Sequence, residues 1–451
     1  MKKCLRCITF QGINIYLFLA LIFVVLFYII SESFFGFNYN NMFSEINLNK
    51  FFFKDSDYRH HRLIESFFNY IGTCLFGLIF FLIEKFVLGK KRGTEAKSKL
   101  AKSLIFNGGE LPDINAYDYL YLLLISILWV LDEILITICG DYLKDLDFWF
   151  SELIFLSLFL KKYFHIKIYR HQLFAMSFLN AIGGPLKIFT IIFSFLKISD
   201  PNKLYVKKEI LIPFGIILYF LLYIARAFTI FNIKRFLEVK YISHTSLLTV
   251  YGFIGFLLSG VFCLITTFIS CNKMLKISFD EDIIKEICFF HPEKNENEYF
   301  FDSFSIYFNN FNYFKLILIF LEVVVFFAYK YSCVYMIKYY NPVYLIFSFP
   351  IIFFFEKIIL IIKTLIDSHT FFDESKENLN SKKLTFSLDI IGDIFSFFWF
   401  LIYLEIIVFH CSGLDYNINS SIMDRSIEDY KNVDKVNDSQ YGPIIDDNDE
   451  E

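Results

Sequence analysis

The chain has 451 residues, 56% of them hydrophobic and 21% aromatic, with 62 phenylalanines and a formal net charge of −4. A mean hydropathy of +0.51 lies well above that of a soluble domain and excludes an ordinary water-soluble enzyme. Basic residues gather in a few loops and acids in the tail, which leaves nucleic acid no surface to bind.

Apolar runs approaching or reaching the length a bilayer demands, about 17–25 residues, occur at 15–30, 67–88, 119–139, 148–160, 173–196, 210–231, 247–269, 313–337, 344–366 and 384–409. The first follows "MKKCLRC" and lacks a small-residue cleavage site, so it reads as a retained span. The fourth is short and extends through "KKYFHIKIY" if Lys161 and Lys162 snorkel. Runs of this length without alternation predict helices rather than barrel strands. The expected fold is an all-α polytopic membrane protein with ten transmembrane helices.

Charge sets the expected orientation. With the amino terminus in the cytosol, "KKCLR", "GKKRGTEAKSKLAK", "KKYFHIKIYR" and "NIKRFLEVK" all fall inside, and the acidic loop around "SFDEDIIKEICFFHPEKNENEYF" falls outside. One basic segment, "SDPNKLYVKKE", dissents. Residues 410–451 read as a disordered acidic cytosolic tail, whose sequons at Asn419 and Asn437 then stay unglycosylated. The carrying membrane is an endomembrane or the plasma membrane, with both termini cytosolic.

The nine cysteines mostly lie in apolar runs. Cys4 and Cys7 form a lone CxxC, expected to be free or lipidated rather than zinc-bound, and Cys271 and Cys288 would bridge only in an oxidising lumen. His60 and His61, near Asp55 and Asp57, read as a solvated loop. No metal and no other cofactor is expected.

An internal echo divides the chain. Cys139, Lys144, Asp147 and Phe150 of "CGDYLKDLDFWF" correspond without a gap to Cys333, Lys338, Asn341 and Tyr344 of "CVYMIKYYNPVY". The first lies between spans three and four and the second between eight and nine. This is the offset of two five-helix halves, residues 1–196 and 197–409, and an odd number of helices per half makes the second inverted.

The stretches "DYLKDLDFWFSELIFLSLFLKKYFHIKIYRHQLFAMSFLNAIG", "KRFLEVKYISHTSLLTVYGFIGFLL" and "YSCVYMIKYYNPVYLIFSFPIIFFFEKII" resemble helices four to nine of the drug/metabolite transporter superfamily. The nucleotide-sugar-transporter-like solute carriers are the most similar branch, and the carboxy-terminal "YLEIIVFHCSGLDYN" resembles an uncharacterised protist-type group within it. The resemblance covers roughly residues 119–409 and implies transport without naming a cargo. The first two helices depart from the pattern, as do the long loops 31–63 and 271–312 and the family's lysine motifs.

Ionisable residues inside spans are the functional candidates, because burial in lipid is costly. Asp132 and Glu133 are adjacent in the third run, so they point about 100° apart on a helix. They either line a cavity or bond neighbouring helices, and Lys187 or Arg226 is the expected partner. Lys187 follows the helix break Gly183-Gly184-Pro185, where a span kinks or unwinds. It would bind an anion or pair with the acids. Arg226 would grip phosphate or carboxylate, or else snorkel to the cytosolic end. Glu322 and Asp393 complete the substrate-binding set, Asp393 sharing a face with Asp389 one turn earlier. Glu356 with Lys357 reads as structural, and Glu152 as interfacial.

These residues predict alternating-access transport of a small polar, anionic metabolite, of nucleotide-sugar or phosphate-linked class. The alternatives are a membrane scaffold or receptor without transport and, with less support, a lipid-modifying membrane enzyme. No HExxH, paired GxGD aspartates or Ser–His pair is present, so no enzyme is expected. The expected partners are a small-molecule substrate, the lipid bilayer and, for a homodimer, a second copy of the chain.

Overall fold

The computed structural model describes residues 8–10, 15–35, 62–88, 116–143, 149–164, 169–178, 208–238, 242–268, 288–291, 296–300, 303–309, 313–340, 342–346 and 397–410, with single residues between 182 and 185 and short pieces in 348–351 and 388–395. The described structure is mostly helical. Its elements are β1 (Ile8–Phe10), α1 (Ile15–Phe35), α2 (Arg62–Ile83, prolonged by a π-turn at Glu84–Leu88), α3 (Ala116–Leu143), α4 (Trp149–Phe164), α5 (Arg170–Phe178), α6 (Lys208–Glu238) and α7 (His244–Phe268). There follow β2 (Cys288–His291), β3 (Glu296–Phe300), α8 (Phe304–Asn309), α9 (Tyr313–Tyr339), α10 (Val343–Ile346), α11 (Ile390–Tyr403) and β4 (Ile407–Phe409).

Among the described residues three helices are long and apolar enough to cross a membrane: Leu63–Phe86, His244–Phe268 and Ile319–Tyr339. Their outward faces carry Leu75, Ile79, Phe80, Phe253, Leu257 and Phe320, each more than two-fifths exposed. The interior holds Asp132, Glu152, Glu322 and Lys330, each under one-tenth exposed. Apolar residues outside and charges inside suit lipid rather than water.

The helix ends follow local chemistry. At the start of α7, Ser243 Oγ accepts the backbone N–H of Ser246 at 3.3 Å, an N-cap. At the start of α5, Gln172 Oε1 reaches back to the N–H of Tyr169 at 3.1 Å. Helix α4 has Glu152 in its first turn and Lys161 and Lys162 in its last, matching the helix dipole at both ends.

Side-chain contacts fix the relative directions of the helices. Lys234, near the end of α6, donates to the carbonyls of Lys338 and Tyr340 at 3.2 and 3.1 Å, capping the end of α9. Glu84, ending α2, accepts from Ser243 and Thr245 at the start of α7, and His244 meets Tyr331 at 2.9 Å. Tyr121, early in α3, donates to Asn232 at 2.7 Å, and Tyr163, late in α4, packs on Phe231. The ends of α2, α4, α6 and α9 therefore share one face with the starts of α3 and α7. Lys161, Lys162, Lys234, Arg235 and Lys338 lie at that end.

Helix α2 runs along α7 and also touches α9, while α3 lies against α6 and α7. The α2–α7 approach depends on Gly252, where a Cβ would run into the backbone nitrogen and Cα of Cys74. Backbone cannot move aside as a side-chain tip can. Gly252→Ala is expected to cost about 1–3 kcal/mol of stability. At Gly260 a new Cβ meets only the Phe67 ring, at 3.1 Å, so Gly260→Ala should cost less. Thermal unfolding of both variants in detergent checks the order.

Two expectations need correction. The last run does not continue as helix to residue 409. Helix α11 closes with the N–H of Ile406 bonding back to the carbonyl of Leu401 at 2.9 Å, and Glu405 takes a left-handed φ of 63°. The chain then enters β4, which pairs antiparallel with β1, Ile8 opposite Phe409 and Phe10 opposite Ile407. Nor is the described part of the 271–312 segment only loop: β2 and β3 form an antiparallel hairpin, followed by α8. Cys288 lies in that hairpin, and Cys271 falls outside the described residues.

Candidate functional site

Five ionisable side chains meet between the helices. Asp132 and Glu133 come from the middle of α3, and their divergence sends them to different neighbours. Asp132 Oδ2 accepts from Arg226 Nε of α6 at 3.0 Å. The same guanidinium reaches Glu152 Oε2 of α4 at 3.7 Å and packs 5.6 Å from the Tyr223 ring. Asp132 Oδ1 accepts no hydrogen bond among the described residues.

Glu133 faces the other way, toward α2, α7 and α9. It pairs with the Lys330 ammonium and accepts from the Tyr251 hydroxyl. Tyr70 adds a third contact, its hydroxyl donating to Oε2 at 3.1 Å. Around Lys330 Nζ stand the rings of Phe326 and Tyr329, both 5.1 Å away, with Trp129 at 5.7 Å and Tyr251 at 5.8 Å. Such a cage favours a cation, because aromatic faces are electron-rich. Trp129 and Tyr251 lie only 4.1 Å apart, closing one side.

Among the described residues the network holds three carboxylates against two cations. Its burial is graded: the Glu152 side chain is 0% exposed and Asp132 5%, while Glu133 and Arg226 retain 20% and 22%. Glu133 and Arg226 are thus the most exposed of these four. Chemically the network presents two cations, Arg226 and Lys330, each already engaged by a carboxylate.

The structure brings together Asp132, Glu133 and Arg226 of the expected set. Glu152, expected at an interface, lies in the first turn of α4 and is fully buried there, facing Arg226. Arg226 lies twelve residues before Glu238, the last of α6, and its guanidinium is held by Asp132 and Glu152. Glu322 does not join the network. It is hydrogen-bonded by Asn69 Nδ2 of α2 at 2.7 Å. Pro185 is helical and exposed, whereas Lys187, Gly183, Gly184, Asp389, Asp393, Glu356, Lys357, His60 and His61 lie outside the described residues.

Sequence reasoning missed Lys330. The signal was present, since Lys330 is an ionisable residue inside the 313–337 run, the same criterion that selected Glu322. Tyr70, Tyr251 and Trp129 carried no comparable signal in a chain with 29 tyrosines. No group of metal-ligating side chains suited to an ion occurs among the described residues. No family model matches the chain, and no curated protein is similar to it.

Proposed function

We propose that the chain is a multi-pass membrane carrier that moves a small polar, anionic metabolite by alternating access. The observation that carries the reading is the ion network of Asp132, Glu133, Glu152, Arg226 and Lys330 inside a bundle with apolar outer faces. Buried ion pairs seldom stabilise more than apolar packing would, and charges at membrane depth mark solute pathways by default. Arg226 and Lys330 supply the two cations for a phosphate or carboxylate. The carboxylates hold those cations in place until a substrate competes for them.

The helix directions support ten crossings in two inverted halves. Helices α2, α4, α6 and α9 end where α3 and α7 begin, as alternating spans require. The cations at that end mark it as cytosolic by the positive-inside rule. Pairing of β1 with β4 supports an entry to α1 and an exit from α11 on one side, which an even number of crossings demands. The junction after α3 and that after α9 fall at opposite ends, in keeping with an inverted repeat and with kinship to the drug/metabolite transporters. The reading assigns the chain no catalysis, and it places the carrier in an endomembrane or the plasma membrane with both termini cytosolic.

A second reading has one observation in its favour: the acids of α3 are both paired, as a non-transporting scaffold would require. The two readings part in proteoliposomes. Purified protein preloaded with unlabelled nucleotide sugars, sugar phosphates, amines or amino acids is expected to exchange at least one labelled anionic compound. Failure of every compound to exchange would favour the scaffold.

A further inference from the structure

Glu322 has surroundings unlike those of the ion network. It lies in α9 with 2% exposure, and among the described residues its only hydrogen-bond partner is Asn69. No basic side chain among those residues pairs with it. Among the described residues another carboxyl group stands near it, that of Glu65 of α2, which lies one turn before Asn69 on the same helix face and is itself 5% exposed. An ionised Glu322 would thus stand in the bundle beside an acid and opposite no described cation.

Asn69 supplies a second, independent indication. Its Nδ2 donates to Glu322 Oε1, yet its Oδ1, on a residue 1% exposed, accepts no hydrogen bond among the described residues. A buried acceptor left without a donor is costly. A carboxamide and a carboxylic acid satisfy each other through two reciprocal hydrogen bonds, N–H to the acid carbonyl and O–H to the amide carbonyl. One bond is already formed. The second needs a proton on Glu322 Oε2.

We infer that Glu322 and Asn69 form a proton-binding site that couples proton movement to the cycle of the carrier, an inference that rests on the transport reading above. In this conformation the Glu322 proton is held between the acid and the Asn69 amide. Beside the pair, α2 and α9 approach closely, Gly72 lying against the Val323 side chain. Separation of the two helices breaks the pair, admits water and lets the proton pass from Oε2 to that water. The carboxylate left behind is repelled by Glu65 and takes a proton from the opposite side before the helices close.

Infrared spectroscopy of the full chain in lipid reads the proton directly. At neutral pH and in sodium-free buffer the wild type is expected to show the C=O stretch of a protonated carboxylic acid that is missing from Glu322→Gln. The carboxamide of that variant can still pair with Asn69, so the fold is kept. Asn69→Ala should shift the band, because the O–H loses its acceptor. Absence of the band from the wild type, or its persistence in Glu322→Gln, overturns the proton site. Loss of the band on adding sodium at constant pH also overturns it, in favour of a metal-cation site. In proteoliposomes an imposed pH gradient should drive accumulation by the wild type and not by Glu322→Gln. A band without transport of any labelled compound would overturn the coupling and the carrier reading while leaving the proton on Glu322. Transport without the band would leave the carrier and remove the proton site.

Discussion

Arg226→Ala is expected to lower the stability of the folded bundle by about 3–5 kcal/mol, the largest single effect in the network. Arg226 is shared between Asp132 and Glu152, whose side chains are 5% and 0% exposed. Its removal leaves two carboxylates beside one another with no described cation on their side of α3. Thermal unfolding in detergent measures the loss. If uncompensated charge is the cause, adding Asp132→Asn and Glu152→Gln to Arg226→Ala should restore most of the stability. A triple variant as unstable as the single one would instead assign the loss to packing around Tyr223 and the guanidinium.

Lys330→Met is expected to affect transport more than stability. Glu133 keeps the hydroxyls of Tyr70 and Tyr251 and is 20% exposed, so the loss of its cation should cost only about 1–3 kcal/mol. Methionine is a good occupant of the space between Phe326, Tyr329 and Trp129, since thioethers pack well on aromatic rings. Uptake per folded molecule should nevertheless fall at least about tenfold, which corresponds to about 1.4 kcal/mol of lost binding or transition-state stabilisation. Parallel measurement of unfolding and uptake separates the two effects.

The helical runs were legible because a bilayer-length apolar segment is a strong one-dimensional signal. The expected starts at 67, 247 and 313 lie within five residues of the observed starts of α2, α7 and α9. Arg226 was legible as a partner of the α3 acids because an intramembrane charge demands an opposite one. Its second partner, Glu152, was not, because nothing in the sequence around the first turn of α4 shows which neighbouring helix that turn faces. The β1–β4 pairing joins three residues ahead of α1 to three that follow α11, and strands that short carry no periodicity. The stop at Glu405 was hidden because a left-handed helix end usually announces itself with glycine. Here a glutamate takes that position and its side chain meets His171 at 3.3 Å.

The central claim is that the network serves a solute rather than the fold alone. Exchanging the charges of one wing, Glu133→Lys together with Lys330→Glu, tests it most directly. The pair is retained but the cation moves from the aromatic cage on α9 to α3. Each single variant should unfold more readily than the wild type, and the double variant should recover stability through the re-formed pair. Uptake of the exchanged anion in proteoliposomes should remain lost in the double variant, because the cation no longer stands where the solute meets it. Recovery of stability and uptake together would contradict the account and make the network a structural brace.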